Sequence, residues 1–93
     1  ADIEASRAML YALGRMLDKG EDTRVESAKT KLFCAGAANR VVNSAIVVHS
    51  GYGFTKDFAI ERIYRDQKLS QLWGGTEDIQ RMIIGTAVGR GYR

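Results

Sequence analysis

From Thr23 to about Ser50 the side chains of Val25, Ala28, Leu32, Ala35, Val42, Ala45, Ile46 and His49 return at helical spacing without interruption. At 1.5 Å per residue this stretch is a rod of about 40 Å. That is long for a domain of 93 residues, so the rest of the chain has to be organised against it. Thr23-Arg24-Val25-Glu26 has the spacing of a capping box, in which the hydroxyl and the carboxylate satisfy each other's free amides and start the rod. Its middle, Cys34-Ala35-Gly36-Ala37-Ala38, carries only small side chains and predicts the close approach of another helix. Gly36 costs about 1 kcal/mol inside a helix, and tight packing is the economical reason to have it there.

The flanking segments are helical as well. Asp2 to Lys19 aligns Ser6, Met9, Leu10, Leu13, Met16 and Leu17 on one face, and Gly20 stands where a C-terminal cap prefers glycine. Ser50-Gly51-Tyr52-Gly53-Phe54 breaks the long rod, its two glycines allowing positive φ and a close backbone approach. Asp57 is the expected N-cap of a short helix with Ile60, Ile63 and Tyr64 on one side, followed by a turn or irregular helix from Asp66 to Leu72. After Gly74-Gly75, Thr76 is the expected N-cap of a last helix. Glu77 and Asp78 suit its macrodipole, and Ile79, Met82, Ile83 and Ala87 form its apolar stripe. Glycines at 85, 89 and 91, with Arg90 and Arg93, predict fraying at its end. No alternating run persists, so the expected fold is an all-α antiparallel helical bundle of three substantial helices and one short one.

Charge narrows the function classes. Fourteen basic and eleven acidic residues give a formal +3, interleaved with no block of five like charges and no nucleic-acid reader motif. A single cysteine, Cys34, makes no internal disulfide, which points to a reducing compartment and an inert thiol. No apolar run is read as reaching the roughly twenty residues of a membrane span, and no signal-peptide pattern opens the chain. The expectation is a soluble intracellular protein with no membrane span. The chain begins at Ala1 inside an expected helix, as a processed or excised piece would.

Side-chain chemistry is thin. One histidine and one cysteine fifteen residues apart make no metal site, and no triad is present. His49 reads as a helix-end packing or capping residue, and Gly51-Tyr52-Gly53 follows a helix and lacks the third glycine of a dinucleotide fingerprint. The glycine loop after the rod and the free amides opening the last helix remain as anion-type sites. Glu77 and Asp78 would repel a phosphate there, so a hydroxyl-bearing group such as a ribose fits better.

Four blocks then stand in a recognisable order: Ala37-Ala38-Asn39-Arg40-Val41-Val42, Ile46 through Asp57, Glu61-Arg62-Ile63-Tyr64-Arg65-Asp66, and Gly75-Thr76-Glu77-Asp78-Ile79-Gln80-Arg81. Together they resemble the C-terminal helical domain of the acyl-CoA dehydrogenases, and Ala1 to Lys19 is similar in pattern to the helix before it. The resemblance implies a partial domain, residues 1–93, that lacks the first helix of its bundle and belongs to a larger flavoprotein. Such proteins are homo-oligomers, dimers or tetramers, that bind FAD between subunits and take two hydrogens from the α and β carbons of an acyl-CoA. Electron-transfer flavoprotein is the implied acceptor, in a bacterial cytoplasm or a mitochondrial matrix.

By that resemblance Val47, Val48, His49, Ser50 and Gly51 line the FAD of a neighbouring subunit, Thr76 and Asp78 touch the FAD of the same active site, and Trp73 and Gly74 lie beside the thioester. Val47 and Ser50 stand where the family often has glutamine and glycine. Gly74 stands where many members carry the glutamate that removes the α proton, and a glycine is no base. Three readings follow: a base supplied by the absent first helix, as in long-chain and isovaleryl-type members; a related flavoprotein with different chemistry; or a silent relative. In each, the backbone amide of Gly74 keeps its capacity to polarise a thioester carbonyl, a donor commonly worth about 3 kcal/mol. The isolated chain is expected to be inactive and to self-associate through an uncovered apolar stripe. The competing class is a non-catalytic helical interaction module.

Overall fold

A computed structural model describes residues 1–92, and over them the chain is helical with no strand. In order come α1 (Asp2–Asp18), α2 (Arg24–His49), a 3-10 turn (Ser50–Phe54), α3 (Ile60–Lys68), a second 3-10 turn (Leu69–Gln71) and α4 (Glu77–Gly89). The all-α bundle is borne out. Its long axis is 48 Å, against 24 and 19 Å across.

The central helix is α2, and α1, α3 and α4 each pack on it. Asp2 takes a bidentate grip from Arg40, Nε and Nη2 both at 2.9 Å, so α1 runs antiparallel to α2. Gln67 Nε2 donates to Asn39 Oδ1 at 3.0 Å, which lays α3 back along the same rod. Further back, Lys29 Nζ reaches the Tyr92 hydroxyl at 3.0 Å, so α4 follows α3 toward the start of α2. Ala28, Ala35 and Val42 are buried as the periodicity predicts, but so are Thr30 and Ala37, because α2 is flanked on more than one side. The small-residue stretch works through Ala35 and Ala37. Gly36 is not at a helix crossing; a Cβ there would meet the Arg40 guanidinium at 3.4 Å.

Several local expectations are corrected by geometry. Thr23 has φ −112° and ψ 12°, outside the extended region that aims a cap hydroxyl inward, and makes no cap bond. Asp22 Oδ1 accepts from the Arg24 amide instead, while Glu26 pairs with Lys29 at 2.6 Å. Asp57 does not cap α3, which begins at Ile60 behind Ala59. On α1 Leu10 and Leu17 are exposed, and no residue of that helix is buried. In α4 the face turned inward is Gln80, Ile83, Ile84 and Ala87, one step round from the expected stripe, with Ile79 and Met82 exposed.

Both terminal helices close with a glycine in the left-handed region. Gly20 (φ 73°) ends α1 with Glu21 N donating to Met16 O, and Gly91 (φ 94°) ends α4 with Tyr92 N donating to Ala87 O. These are Schellman closures, and α4 is a hydrogen-bonded helix through Gly89 despite the glycines at its end; Arg93 lies outside the described residues.

By length and composition alone the stretch Arg24–Phe54 is apolar enough to cross a membrane, contrary to the sequence reading. Alanine and valine make it so. Ala28, Ala35, Ala37 and Val42 among them are buried against the neighbouring helices, while 17% of the apolar window as a whole is buried.

Candidate functional site

The loop between α3 and α4 is built from two consecutive glycines in the left-handed half of the map, Gly74 at φ 65° and Gly75 at φ 106°. L side chains avoid both values. A Cβ at Gly75 would also stand 2.5 Å from the Gln80 Nε2, so the end of that buried side chain would have to move. Upstream, the Leu72 and Trp73 amides both donate to Leu69 O at 2.9 Å. Downstream, Thr76 is the N-cap the sequence predicts, its hydroxyl accepting from the Ile79 amide at 3.3 Å.

Side chains hold the loop from two directions. Gln71 Nε2 donates to Glu77 Oε1 at 2.7 Å, and Arg81 Nη2 holds the other oxygen of that carboxylate at 3.3 Å. From α2, Lys31 Nζ donates to the carbonyls of Ser70 at 3.1 Å and Gly75 at 2.7 Å. The residues between remain open: Trp73 and Gly74 are exposed, and Asp78 projects into solvent 3.5 Å from Arg81. Among the described residues no hydrogen bond uses the Gly74 N–H. Gly74 is exposed, and an amide there without an internal partner is open to an outside acceptor.

The second group of expected site residues lies where α2 ends. Val47 and Val48 are 77% and 83% exposed, and Tyr52 and Phe54 stand exposed beside them. His49 Nδ1 is 2.8 Å from the Ala45 carbonyl. A carbonyl only accepts, so in the neutral ring Nδ1 carries the proton and Nε2 is the acceptor. Its ring meets Phe58 edge-on at 5.8 Å.

The glycines here behave differently from the sequence expectation. Neither Gly51 nor Gly53 has positive φ; Ser50 does, at φ 55° and ψ −140°. Gly53 is buried because its α carbon lies against Ile46, where a Cβ would be 3.1 Å from the carbonyl oxygen, whereas Gly51 faces open space.

The two groups are not brought together. Lys31 touches Gly75, and His49 is eighteen residues further along the same helix, about 27 Å at 1.5 Å per residue. Sequence reasoning missed Lys31, Gln71 and Gln80. Lys31 left no signal because its partners are backbone carbonyls 39 and 44 residues away. Gln80 broke the apolar stripe on which the reading of α4 relied. Among the described residues no group of three His, Cys, Asp or Glu side chains is gathered to hold a metal.

The fold is thus that of an all-α bundle domain with one glycine loop braced by Lys31, Gln71, Thr76 and Glu77. The chain belongs to the acyl-CoA dehydrogenase family: residues 1–89 match the model of the acyl-CoA dehydrogenase C-terminal domain. FAD is the cofactor of that family. A 3-(aryl)acrylate reductase of Clostridium sporogenes is 36% identical over 84 residues, 90% of this chain and 22% of the relative. A cyclohexane-1-carbonyl-CoA dehydrogenase of Syntrophus aciditrophicus is 36% identical over 86 residues, 92% of this chain and 22% of the relative. The solved butyryl-CoA dehydrogenase of Megasphaera elsdenii superposes with a TM-score of 0.92 at 31% identity, covering 96% of this chain and 23% of that one. The chain therefore spans less than a quarter of the length of these relatives.

Proposed function

We propose that residues 1–93 are a single helical unit, part of the C-terminal domain of a larger FAD-dependent acyl-CoA dehydrogenase of the bacterial cytoplasm. The observation that carries this reading is the unpaired Gly74 amide, held on the open side of a braced glycine loop. A thioester carbonyl placed there accepts that hydrogen bond. As the α proton leaves, negative charge grows on the carbonyl oxygen, and a preorganised donor contributes about 3 kcal/mol more to that state than water would. Trp73, exposed beside it, shields the thioester from solvent once substrate lies against its ring.

The residues present fit the cofactor. Asp78 and Thr76 offer oxygen acceptors to ribityl or ribose hydroxyls, and a carboxylate suits a hydroxyl better than a phosphate. At the other end Val47, Val48, Ser50 and Gly51 are exposed, with open space over the Gly51 α carbon and half-buried His49 beside them. Held there, FAD would supply the acceptor for the β hydrogen, which would leave as hydride. Because the two groups lie about 27 Å apart on one chain, they serve two flavins, which supports a homo-oligomer. Electron-transfer flavoprotein is the proposed acceptor.

The chain supplies polarisation and no base, since Gly74 has no side chain, Glu77 is engaged by Gln71 and Arg81, and Asp78 points to solvent. The proton is removed by a carboxylate from another segment, and the chain alone is inactive. A second reading, the same site run toward reduction of an α,β-double bond, is favoured by the similarity to the C. sporogenes reductase.

The test is made on the full-length flavoprotein. Bound FAD and exchange of an acyl-CoA α proton in deuterated water are the expected results; a protein that binds no FAD and exchanges no α proton overturns the proposal and leaves an interaction module. Light scattering on the same preparation should give a dimer or tetramer.

A further inference from the structure

We infer that Lys31 is a positioning residue, whose ammonium ties the two ends of the 70–75 loop and thereby sets the direction of the Gly74 amide. This deepens the reading above and rests on it. The lysine enters from the first third of α2, with Nζ 3.1 Å from Ser70 O and 2.7 Å from Gly75 O. Those two carbonyls bracket Gln71, Leu72, Trp73 and Gly74.

The direction of the Gly74 N–H is set by the torsions on either side of the Trp73–Gly74 peptide. Both Gly74 and Gly75 have glycine's freedom, so the local chain does not fix those torsions by itself. The remaining ties act elsewhere: Leu72 and Trp73 amides close a turn on Leu69, and Gln71 bonds Glu77. Only Lys31, among the described residues, bonds a backbone group of the glycine pair.

Its stem runs directly behind the pair. Cε lies 3.6 Å from where a Gly74 Cβ would stand. Trp73 covers a small cavity of about 230 Å³ that Lys31 lines together with Cys34, Ala35, Ala38 and Ser70. An ammonium has three donors in a compact head, and two of them meet carbonyl oxygens here. Methionine copies the stem and lacks the donors. That makes the contribution of the head separable from packing.

A purely structural role for Lys31, fastening the start of α4 to α2, would change stability and leave chemistry alone. A positioning role changes turnover without changing affinity, since a misplaced donor costs on the order of 100-fold in rate. The experiment compares wild type, Lys31→Met and Lys31→Arg in the full-length flavoprotein. Hydrogen exchange of the Leu72 and Trp73 amides, the two in the loop that are hydrogen-bonded, is measured alongside FAD content, kcat and KM.

The expected result for Lys31→Met is exchange at least tenfold faster over that loop, kcat lower by about 100-fold, and FAD content and KM within threefold of wild type. Lys31→Arg, which keeps charge and donors, recovers most of both losses. Should the methionine variant not fold, Lys31→Gln carries the comparison, keeping one donor group and giving an intermediate loss.

Unchanged loop exchange in Lys31→Met overturns the clamp, and faster exchange with unchanged kcat overturns its positioning role. A wild-type protein with no FAD and no α-proton exchange overturns the acyl-CoA reading instead. In that event the loop-exchange comparison still decides whether the clamp exists.

Discussion

The two loops at the ends of α3 use glycine in opposite ways. In the 69–76 loop both glycines sit at positive φ, and four side chains, Lys31, Gln71, Thr76 and Glu77, hold the backbone around them. In the 50–59 loop the glycines have ordinary φ, the strained residue is a serine, and the side-chain brace is one bond from Thr55 to the Tyr52 carbonyl. The first loop is braced by its own chain, although Leu72 and Trp73 remain exposed on it. The second turns Val47, Val48, Tyr52 and Phe54 outward, as a surface that a neighbour would complete. Preorganisation is thus concentrated where the proposed chemistry needs a fixed donor.

The sharpest way to break this contrast is a matched pair of glycine substitutions. Gly75→Ala forces an L residue to φ 106° and pushes its methyl against Gln80. The strain is of order 1–3 kcal/mol, and the crowding brings the expected loss toward the upper end. Gly51→Ala meets nothing within 4 Å and has no positive φ, so its expected cost is under about 0.5 kcal/mol. Urea unfolding of the two variants measures the difference. Equal losses would mean that the loops are not differently braced.

Much of this was legible in the sequence, and the boundary has a physical cause. The helices were legible because burial repeats every three to four residues, and the cap at Gly20 because the left-handed region selects glycine, whereas Gly91, read as a sign of fraying, closes α4 in the same way. The inward face of α4 was misread because Gln80 is buried on it, and a polar side chain is silent in an apolar pattern. Motif resemblance pointed to the loop of Trp73 and Gly74. It did not reveal Lys31, since any donor reaching a carbonyl across 44 residues of chain looks like one more surface charge. At the other loop, the pair Gly51 and Gly53 drew the expectation of positive φ that the chain places on Ser50.

That serine gives a smaller test of opposite sign. At φ 55° and ψ −140° it occupies a region that glycine enters without penalty. Ser50→Gly should stabilise the fold by about 1 kcal/mol, the relief of strain exceeding the added chain entropy of glycine. A melting temperature unchanged or lowered would show that the serine side chain holds the loop by a contact to a neighbour.

The smallest effect separates neutral from ionic bracing. The Arg40 guanidinium, hydrogen-bonded to Asp2, holds that carboxyl below its usual value of 3.8, and Asp2 in turn raises Arg40. A depressed carboxylate contributes stability that is fully present above its unfolded pKa and is lost as pH falls through the folded one. The α1 attachment should therefore loosen below about pH 4, seen as faster amide exchange at residues 2–7 once the intrinsic pH dependence is removed. The 69–76 loop should respond less, because Lys31 grips carbonyl oxygens that do not titrate in this range. Only its Glu77 contacts have a carboxylate to lose. If both segments loosen together on acidification, the loop depends on α1 for its shape, and the lysine clamp alone does not brace it.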